Sequence, residues 1–322
     1  ESGSIMAQEW TAIGLRGMYG YMADLATEPR WYRVHETFTE DADLASDIMR
    51  ALIPAIQGRD LGPGGVALTI KHFPGGGSQE GGGDPHYSYG KNQVYPAGMF
   101  DYHLKPFKAA IEAGTSSIMA YYGIPVGQPY MPNDVGMAFS KGIVTGLLRG
   151  ELGFAGYVNS DTGIIGVRAW GLERLPLAEQ IAVAVEAGTD VLSGFHDHAG
   201  IVGLVESGRL SEARLDESVR RLLVEQFKLG LFENPYVDAA AADEPVLLGA
   251  AMLGAVAGGV FTDLASAMPA MSRVLTTHHP DPDSQRLHAA RHRAFLTLQA
   301  TARDLRGDID AALRGDHDAL HG

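Results

Sequence analysis

Polar side chains that can attack carbon, transfer a proton or bind hydroxyl groups stand where short apolar segments of the chain end. They are Asp24, Lys71, His72, Tyr121 and Asp161. Enzymes built on a parallel-stranded barrel collect their catalytic groups from the ends of several strands in this way. The pattern therefore predicts one site assembled from segments that are far apart in the chain.

Asp161 stands where an apolar segment turns into a glycine loop, in the sequence YVNSDTG of residues 157–163. A carboxylate at this position can point into the mouth of a barrel and act as a nucleophile. Asp is also common as a cap of a turn or of a helix. Position alone leaves both interpretations open.

Lys71 and His72 end the apolar segment Val66–His72. Successive residues of a strand face opposite sides, so both side chains point inward only if the strand bends there. In a bent strand they would bind substrate hydroxyl groups, whereas in a regular strand end they would reach solvent. A buried Lys–His pair would need polar partners.

A glycine-rich segment with the sequence PGGGSQEGGGDPH, residues 74–86, ends in Asp84 and His86. A carboxylate two residues from a histidine can orient and polarise the ring as a proton-transfer group. Exposed Asp-x-His sequences also occur by chance. The segment does not open a helix with the pattern G-x-G-x-x-G, so we expect no dinucleotide site.

A dense polar and aromatic cluster, EPRWYRVHETF, occupies residues 28–38. Arg side chains donate paired hydrogen bonds, here to vicinal hydroxyl groups, and aromatic faces pack on sugar rings. The cluster therefore indicates carbohydrate binding. The alternative is a surface loop held by salt bridges.

The elements that must position these side chains alternate between strands and helices over residues 1–238. We predict strands at Gly20–Asp24, Val66–His72, Ser117–Tyr122, Gly156–Asp161 and Asp190–Ser193. We predict helices at Asp41–Gln57, His103–Ala113, Lys141–Leu152, Pro176–Glu186 and Ser211–Leu229. Repeated strand–helix units of about 35–50 residues indicate a parallel sheet. The polar strand ends favour an α/β fold of the (β/α)8-type TIM barrel.

Composition narrows the classes of function. The 322 residues carry 25 basic and 39 acidic side chains, a formal charge of −14, so we expect no nucleic-acid or anionic-membrane partner. The absence of cysteine excludes disulfides, thiolate nucleophiles and Cys-ligated metals. The longest apolar run, Val246–Phe261, falls short of the ~20 residues that a membrane span needs, and we expect a buried helix there.

The segments EPRWYRVHETFTED, IKHFPGGG, SSIMAYYG, LGFAGYVNSD and EAGTDVLSG follow one another in this order. Because of these five segments, residues 1–238 resemble the N-terminal barrel domain of glycoside hydrolase family 3, and most of all its β-glucosidase-like branch. The resemblance implies a retaining mechanism in which Asp161 is the nucleophile and carries the glycosyl-enzyme intermediate. It also implies that Arg33, Lys71 and His72 bind the hydroxyl groups of the sugar. Met119 and Tyr121 would line the pocket, with Tyr122 as the alternative to Tyr121.

The chain also departs from the family pattern. The first barrel strands and a sugar-binding Asp precede EPRWYR in the family, and only five strand candidates occur here, so we expect a barrel that is incomplete at its N-terminus. In many relatives a second α/β domain holds the acid Glu, and we expect no such domain within residues 1–322. Bacterial β-N-acetylglucosaminidases of the family use an Asp-x-His dyad after KHF, which makes Asp84 and His86 the candidate acid/base. Thr162 stands where relatives often have Trp, which leaves the aglycone side open.

Residues 239–322 differ from the rest and resemble the C-terminal end of FGGY-type carbohydrate kinases. We expect an α-helical tail without kinase activity, because the phosphate-binding loops and catalytic Asp of a kinase are missing. The join of the two segments suggests a gene-fusion or assembly artefact. His288 and His292 are four residues apart, but no carboxylate completes an H-E-x-x-H pattern, so a solvated helix is the better interpretation.

The sequence thus predicts an exo-acting β-glucosidase-like hydrolase that acts on terminal non-reducing β-D-glycosyl residues of a carbohydrate substrate. A β-N-acetylglucosaminidase and an inactive, truncated or fused fragment are the alternatives. We expect neither a cofactor nor a metal.

Overall fold

The computed structural model describes residues 1–130, 134–233, 252–256 and 258–271, together with residues 293 and 297. Contacts group the chain into Glu1–Met271 and Ser272–Gly322. The expected boundary between residues 238 and 239 lies outside the described residues, as do His288 and His292. Of the apolar run 246–261, the described part has Met252 buried and Leu253 exposed.

Parallel strands form the centre of the first unit. The strands are β1 (Gly17–Met18), β2 (Ala67–Phe73), β3 (Asn92–Gln93), β4 (Ser117–Ala120), β5 (Ile124–Pro125) and β6 (Tyr157–Ser160). One sheet has the order β1-β2-β4-β6, and β3 pairs with β5 in a second sheet. All these pairs are parallel, and a further parallel bridge joins Asn159 to Val191.

Helices surround the larger sheet in sequence: one precedes β1, one lies in each of the three connections between its strands, and the others follow β6. They are α1 (Ser2–Ala12), α2 (Ala42–Gln57), α3 (Phe100–Glu112), α4 (Gly142–Glu151, π-helical), α5 (Leu177–Ala187), α6 (His198–Glu206), α7 (Glu212–Lys228) and α8 (Leu264–Met271). Asp41 caps α2 by accepting the N–H groups of Asp43 and Leu44, as short polar side chains do at helix starts. Ser211 caps α7 by accepting from Arg214.

The core lies between these helices and the sheet. Every residue of β2 except Lys71 is buried, as expected for a parallel strand covered on both faces. On α2 the buried residues include Met49, Ile53 and Ile56, which share one helical face. The strand ends are therefore held on a rigid, close-packed support.

Four of the five predicted strands have counterparts in the predicted order, but Asp190–Ser193 forms only the bridge at Val191, and β3 and β5 were not predicted. Pairing of the first strand begins at Gly17–Met18 rather than at Gly20, and only Met22 of the predicted segment bridges to Lys71. Helices α1 and α6 were not predicted from the sequence, because the apolar residues of each form no clear helical stripe. Among the described residues no pairing joins β1 to Val191, so the strands form an open arc. No described helix is long and apolar enough to cross a bilayer.

Candidate active site

Asp24 is a buried carboxylate that faces the end of β2. Its Oδ2 lies 2.7 Å from Nδ1 of His72, and both of its oxygens accept the backbone N–H of His72 at 3.2 Å. It also accepts the N–H of Gly76. Asp24 therefore holds the imidazole and the start of the glycine-rich loop in place at once.

The other nitrogen of His72 faces the centre of the site. Nε2 lies 3.1 Å from Nη1 of Arg33 and 3.6 Å from Oδ2 of Asp161. A carboxylate only accepts and a guanidinium only donates, so a ring with its hydrogen on Nδ1 satisfies both Asp24 and Arg33. His72 thereby links residues from three separate segments.

Arg33 is fixed by a two-point contact with Glu36. Its Nε and Nη2 donate to the two carboxylate oxygens of Glu36 at 2.9 and 2.7 Å. This hydrogen bonding lowers the pKa of Glu36. The fork geometry leaves Nη1 of Arg33 at His72, where it can also reach a ligand.

Lys71 joins the same cluster. Burial lowers the pKa of Lys71, the charge of Arg33 acts in the same direction, and the carboxylate of Asp161 opposes both. The pairing of β2 with β4 shifts register between Lys71 and Phe73, which breaks the alternation of side chains. Lys71 and His72 can therefore both face the site, as a bent strand end requires.

Asp161 follows β6 directly. Its N–H donates to the carbonyl of Ala120 at 3.2 Å, which ties it to the end of β4. Its Oδ1 accepts the N–H of Thr162 at 2.7 Å, and 14% of its side chain is exposed. The second carboxylate oxygen faces His72 and is the one available for chemistry.

Both tyrosines that follow β4 contact the site. Tyr121 is fully buried with its ring 4.2 Å from that of His72, and its hydroxyl has no hydrogen-bond partner among the described residues. Tyr122 donates to the carbonyl of Thr162 at 2.6 Å, and burial together with Asp161 raises the pKa of Tyr122. Met119 is buried beside Lys71 in the sheet register.

Asp84 and His86 form a pair at the same place. Nδ1 of His86 lies 2.6 Å from Oδ1 of Asp84, and its ring is 4.8 Å from that of Tyr122. The hydroxyl of Tyr32 lies 3.3 Å from the same nitrogen. Nε2 of His86 makes no hydrogen bond within the described part of the chain, so it is the nitrogen that can serve a ligand.

The loop after β6 fastens this pair to the site. Arg168 donates to the carbonyls of His86 (3.3 Å) and Thr162 (3.2 Å), with its guanidinium 5.2 Å from the ring of Tyr122. Trp170 donates from Nε1 to the carbonyl of Pro85 at 2.8 Å. These contacts bring two loops together that are about 80 residues apart in the sequence.

The structure therefore gathers Asp161, Lys71, His72 and Arg33 in one cluster, with Asp84 and His86 joined to it through Tyr122. Sequence reasoning placed Asp24 at a strand end but gave it no role, and it missed Arg168 and Trp170. No local pattern marks these residues, since each acts through a distant partner. Within the described ranges no group of three His, Asp or Glu side chains could hold a metal.

Comparisons with known proteins identify the family of the chain. The model of the glycosyl hydrolase family 3 N-terminal domain matches residues 1–224. A relative named probable beta-glucosidase C, from Aspergillus oryzae, is 47% identical over an alignment of 252 residues that covers 75% of this chain and 39% of the relative. The chain thus spans about two fifths of the length of that curated relative.

Solved structures share the fold. A beta-glucosidase from Listeria innocua in complex with glucose aligns with a TM-score of 0.64 and 28% identity, covering 79% of this chain and 35% of the other. A family 3 beta-N-acetylglucosaminidase from Paenibacillus aligns with a TM-score of 0.64 and 25% identity over 78% of this chain and 48% of the other. The likeness confirms a TIM-barrel-like α/β fold.

The family match covers the parallel sheet, the glycine-rich loop and Asp161, but does not reach residues 239–322. The kinase resemblance of that segment stays a prediction. By the extent of this match and the identity to its relatives, the chain belongs to glycosyl hydrolase family 3, of which it contains the N-terminal domain.

Proposed function

We propose that this domain hydrolyses terminal non-reducing β-D-glucosyl residues with retention of configuration. The observation that carries the proposal is the partly accessible carboxylate of Asp161 beside His72, Arg33 and Lys71. Three nitrogen-bearing side chains around one carboxylate suit a polyhydroxylated ring that must present its anomeric carbon to that carboxylate. The β-glucosidase names of the relatives support the same substrate class.

In the proposed reaction Asp161 attacks the anomeric carbon, and the bond to the leaving oxygen breaks. The leaving oxygen takes a proton from a general acid, and a glycosyl ester forms on Asp161. Water then attacks the same carbon, the acid residue takes back a proton, and the carboxylate is released. A retaining site of this kind holds its acid and nucleophile at about 5–5.5 Å.

We propose the Asp84–His86 pair as the acid/base. Asp84 orients the ring through Nδ1, and Nε2 has no partner within the described residues. An imidazole can both give and take a proton. This assignment also supports a second function, a β-N-acetylglucosaminidase, since one solved relative has that name.

A trapping experiment tests the nucleophile. A 2-fluoro-2-deoxy-β-glucoside with an activated leaving group slows hydrolysis of the intermediate and should label the peptide that contains Asp161. The Asp161→Asn variant should not be labelled, whereas Asp47→Asn, which alters an exposed carboxylate on α2, should react like the parent chain. Labelling of a different carboxylate would overturn the assignment.

The rates of hydrolysis of two aryl glycosides distinguish the two proposed substrate classes. Aryl β-glucosides should be hydrolysed faster than aryl N-acetyl-β-glucosaminides, with His86→Ala reducing both. The reverse preference would favour the second function. A chain that turns over neither substrate would instead support the inactive-fragment alternative, for which the unpaired strand edges of the open arc predict aggregation or a molten state. A cooperative thermal transition together with turnover of an aryl glucoside would exclude that alternative.

For residues 239–322 we propose no phosphoryl transfer. Incubation of the full chain with ATP, magnesium and free sugars should yield no sugar phosphate. Formation of sugar phosphate above the background of a heat-denatured sample would contradict this proposal.

A further inference from the structure

The segment 84–90 closes on itself into a compact loop. Tyr87 donates its N–H to the carbonyl of Asp84 at 3.0 Å, and Gly90 donates to the carbonyl of Tyr87 at 3.1 Å. A Cβ at Gly90 would lie 2.3 Å from the carbonyl oxygen of Asp84, so only glycine permits this closure. The loop that carries the Asp84–His86 pair therefore has a defined shape.

The loop is fastened to its surroundings at both ends. Trp170 and Arg168 hold the carbonyls of Pro85 and His86. On the other side, Nζ of Lys91 lies 3.6 Å from the carboxylate of Glu173. Side chains between these two anchors are presented by a supported backbone at the rim of the site.

Tyr87 and Tyr89 lie between the anchors with their rings in the open. Tyr87 is 57% and Tyr89 is 76% exposed. Their rings are parallel within 5°, with centroids 5.5 Å apart, and neither hydroxyl is hydrogen-bonded to a described residue. Exposure of two parallel aromatic rings to water is unfavourable unless a ligand covers them.

We propose that Tyr87 and Tyr89 bind the pyranose ring of the leaving group. The proposal rests on the proposed function. The acid must reach the oxygen that joins the cleaved sugar to the leaving group, so the leaving group lies on the side of His86. Tyr87 is the next residue, with its Cα about 3.8 Å further on. The apolar C–H face of a pyranose packs on a tyrosine ring, and the phenol can bond to its hydroxyl groups.

Substrates that differ only in the leaving group test this assignment. The full chain and its Tyr87→Ala and Tyr89→Ala variants would be compared on cellobiose, laminaribiose and β-glucosyl fluoride, whose leaving group has no ring. We expect kcat/KM for the disaccharides to fall about tenfold, as loss of one ring contact implies, with glucosyl fluoride unchanged. The Tyr87→Phe variant keeps the ring and should retain most of the disaccharide activity.

A second exposed aromatic pair supplies the control. Phe227 and Phe232 stack with centroids 4.3 Å apart, outside the site, and Phe227→Ala should leave both substrate types unchanged. Equal disaccharide rates in the parent and the tyrosine variants would overturn the inference, and so would a parallel loss on glucosyl fluoride, because the pair would then only support the loop. A parent chain that hydrolyses neither substrate would count against the proposed function instead.

Discussion

Oδ2 of Asp24 lies 2.7 Å from Nδ1 of His72, although 48 residues separate the two in the chain. The opposite nitrogen of the same ring lies 3.6 Å from Asp161. Asp24 is therefore a positioning residue that acts on the site through the imidazole.

Replacement of Asp24 by Asn should weaken both the fold and the site. The amide keeps only one acceptor oxygen, so its NH2 group must face the Nδ1–H of His72 or the N–H of Gly76, which use different oxygens of Asp24. We expect the free energy of unfolding to fall by about 3 kcal/mol. Urea unfolding measures this loss. Asp43→Asn, which alters an exposed ion pair with Lys105, should change the stability by less than about 1 kcal/mol.

The role of Asp24 in positioning has its own readout. At a temperature where the Asp24→Asn variant is fully folded, the rate of trapping at Asp161 should be lower than in the parent chain. An unchanged trapping rate in folded protein would restrict Asp24 to stability alone.

In the first step, which kcat/KM reports, His86 should matter only when the leaving group needs a proton. We expect His86→Ala to lower kcat/KM for a phenyl glucoside by about 10²-fold or more, and to change kcat/KM for glucosyl fluoride little. Asp84→Asn should give a smaller effect in the same direction, since the ring remains but loses its orienting carboxylate. Equal losses on the two substrates would remove His86 as the acid. The matched control is Tyr32→Phe, which deletes a 3.3 Å contact to the same ring but keeps the imidazole. This variant should change the hydrolysis of either substrate little.

Asp190 is a buried charge that accepts the N–H of Val158 near the start of β6, whereas Asp161 follows the other end of that strand. Its buried carboxylate lies 2.6 Å from Arg149, 3.3 Å from Arg214 and 2.8 Å from Arg221. Burial lowers the pKa of Arg149 to about 10 against the opposing charge of Asp190. Because Asp190→Ala would leave these cations facing one another, we expect a loss of at least about 3 kcal/mol in the free energy of unfolding. Asp216→Ala, at an exposed position of α7, should change it little, and a similar small effect at Asp190 would contradict the prediction.

Glu225 should make stability depend on pH. Burial raises the pKa of Glu225 from 4.5 to about 7, with the hydroxyl of Tyr157 and the charge of Lys228 opposing, and Ser116 donates to its carboxyl group. Between pH 4.5 and 7 the folded state binds more protons than the unfolded state, so stability from this group is present at low pH and is lost as the pH rises.

Unfolding at several pH values measures the effect. The parent chain should lose more stability than Glu225→Gln between pH 5 and pH 8, because the amide cannot ionise. Glu212→Gln, at the exposed start of α7, should follow the parent chain. Parallel curves for Glu225→Gln and the parent would show that Glu225 titrates alike in both states.

Local patterns predicted much of the fold. Residues close together in the chain determine the helix caps at Asp41 and Ser211 and the apolar segment that forms β2. Capping and periodicity depend on neighbours only a few positions apart. The same locality explains the errors. Gly20–Asp24 reads as a strand, yet the ladder there begins at Gly17, since pairing also depends on the partner strand.

The sequence by itself determined the parallel α/β order, the strand-end position of Asp161 and the family resemblance, because each depends on residue order alone. Only the tertiary structure decided that Lys71 and His72 share a site, through a register shift. It alone also joined Asp24 to His72 and Arg168 to His86. Such contacts are set by how distant segments pack, and no spacing along the chain encodes them.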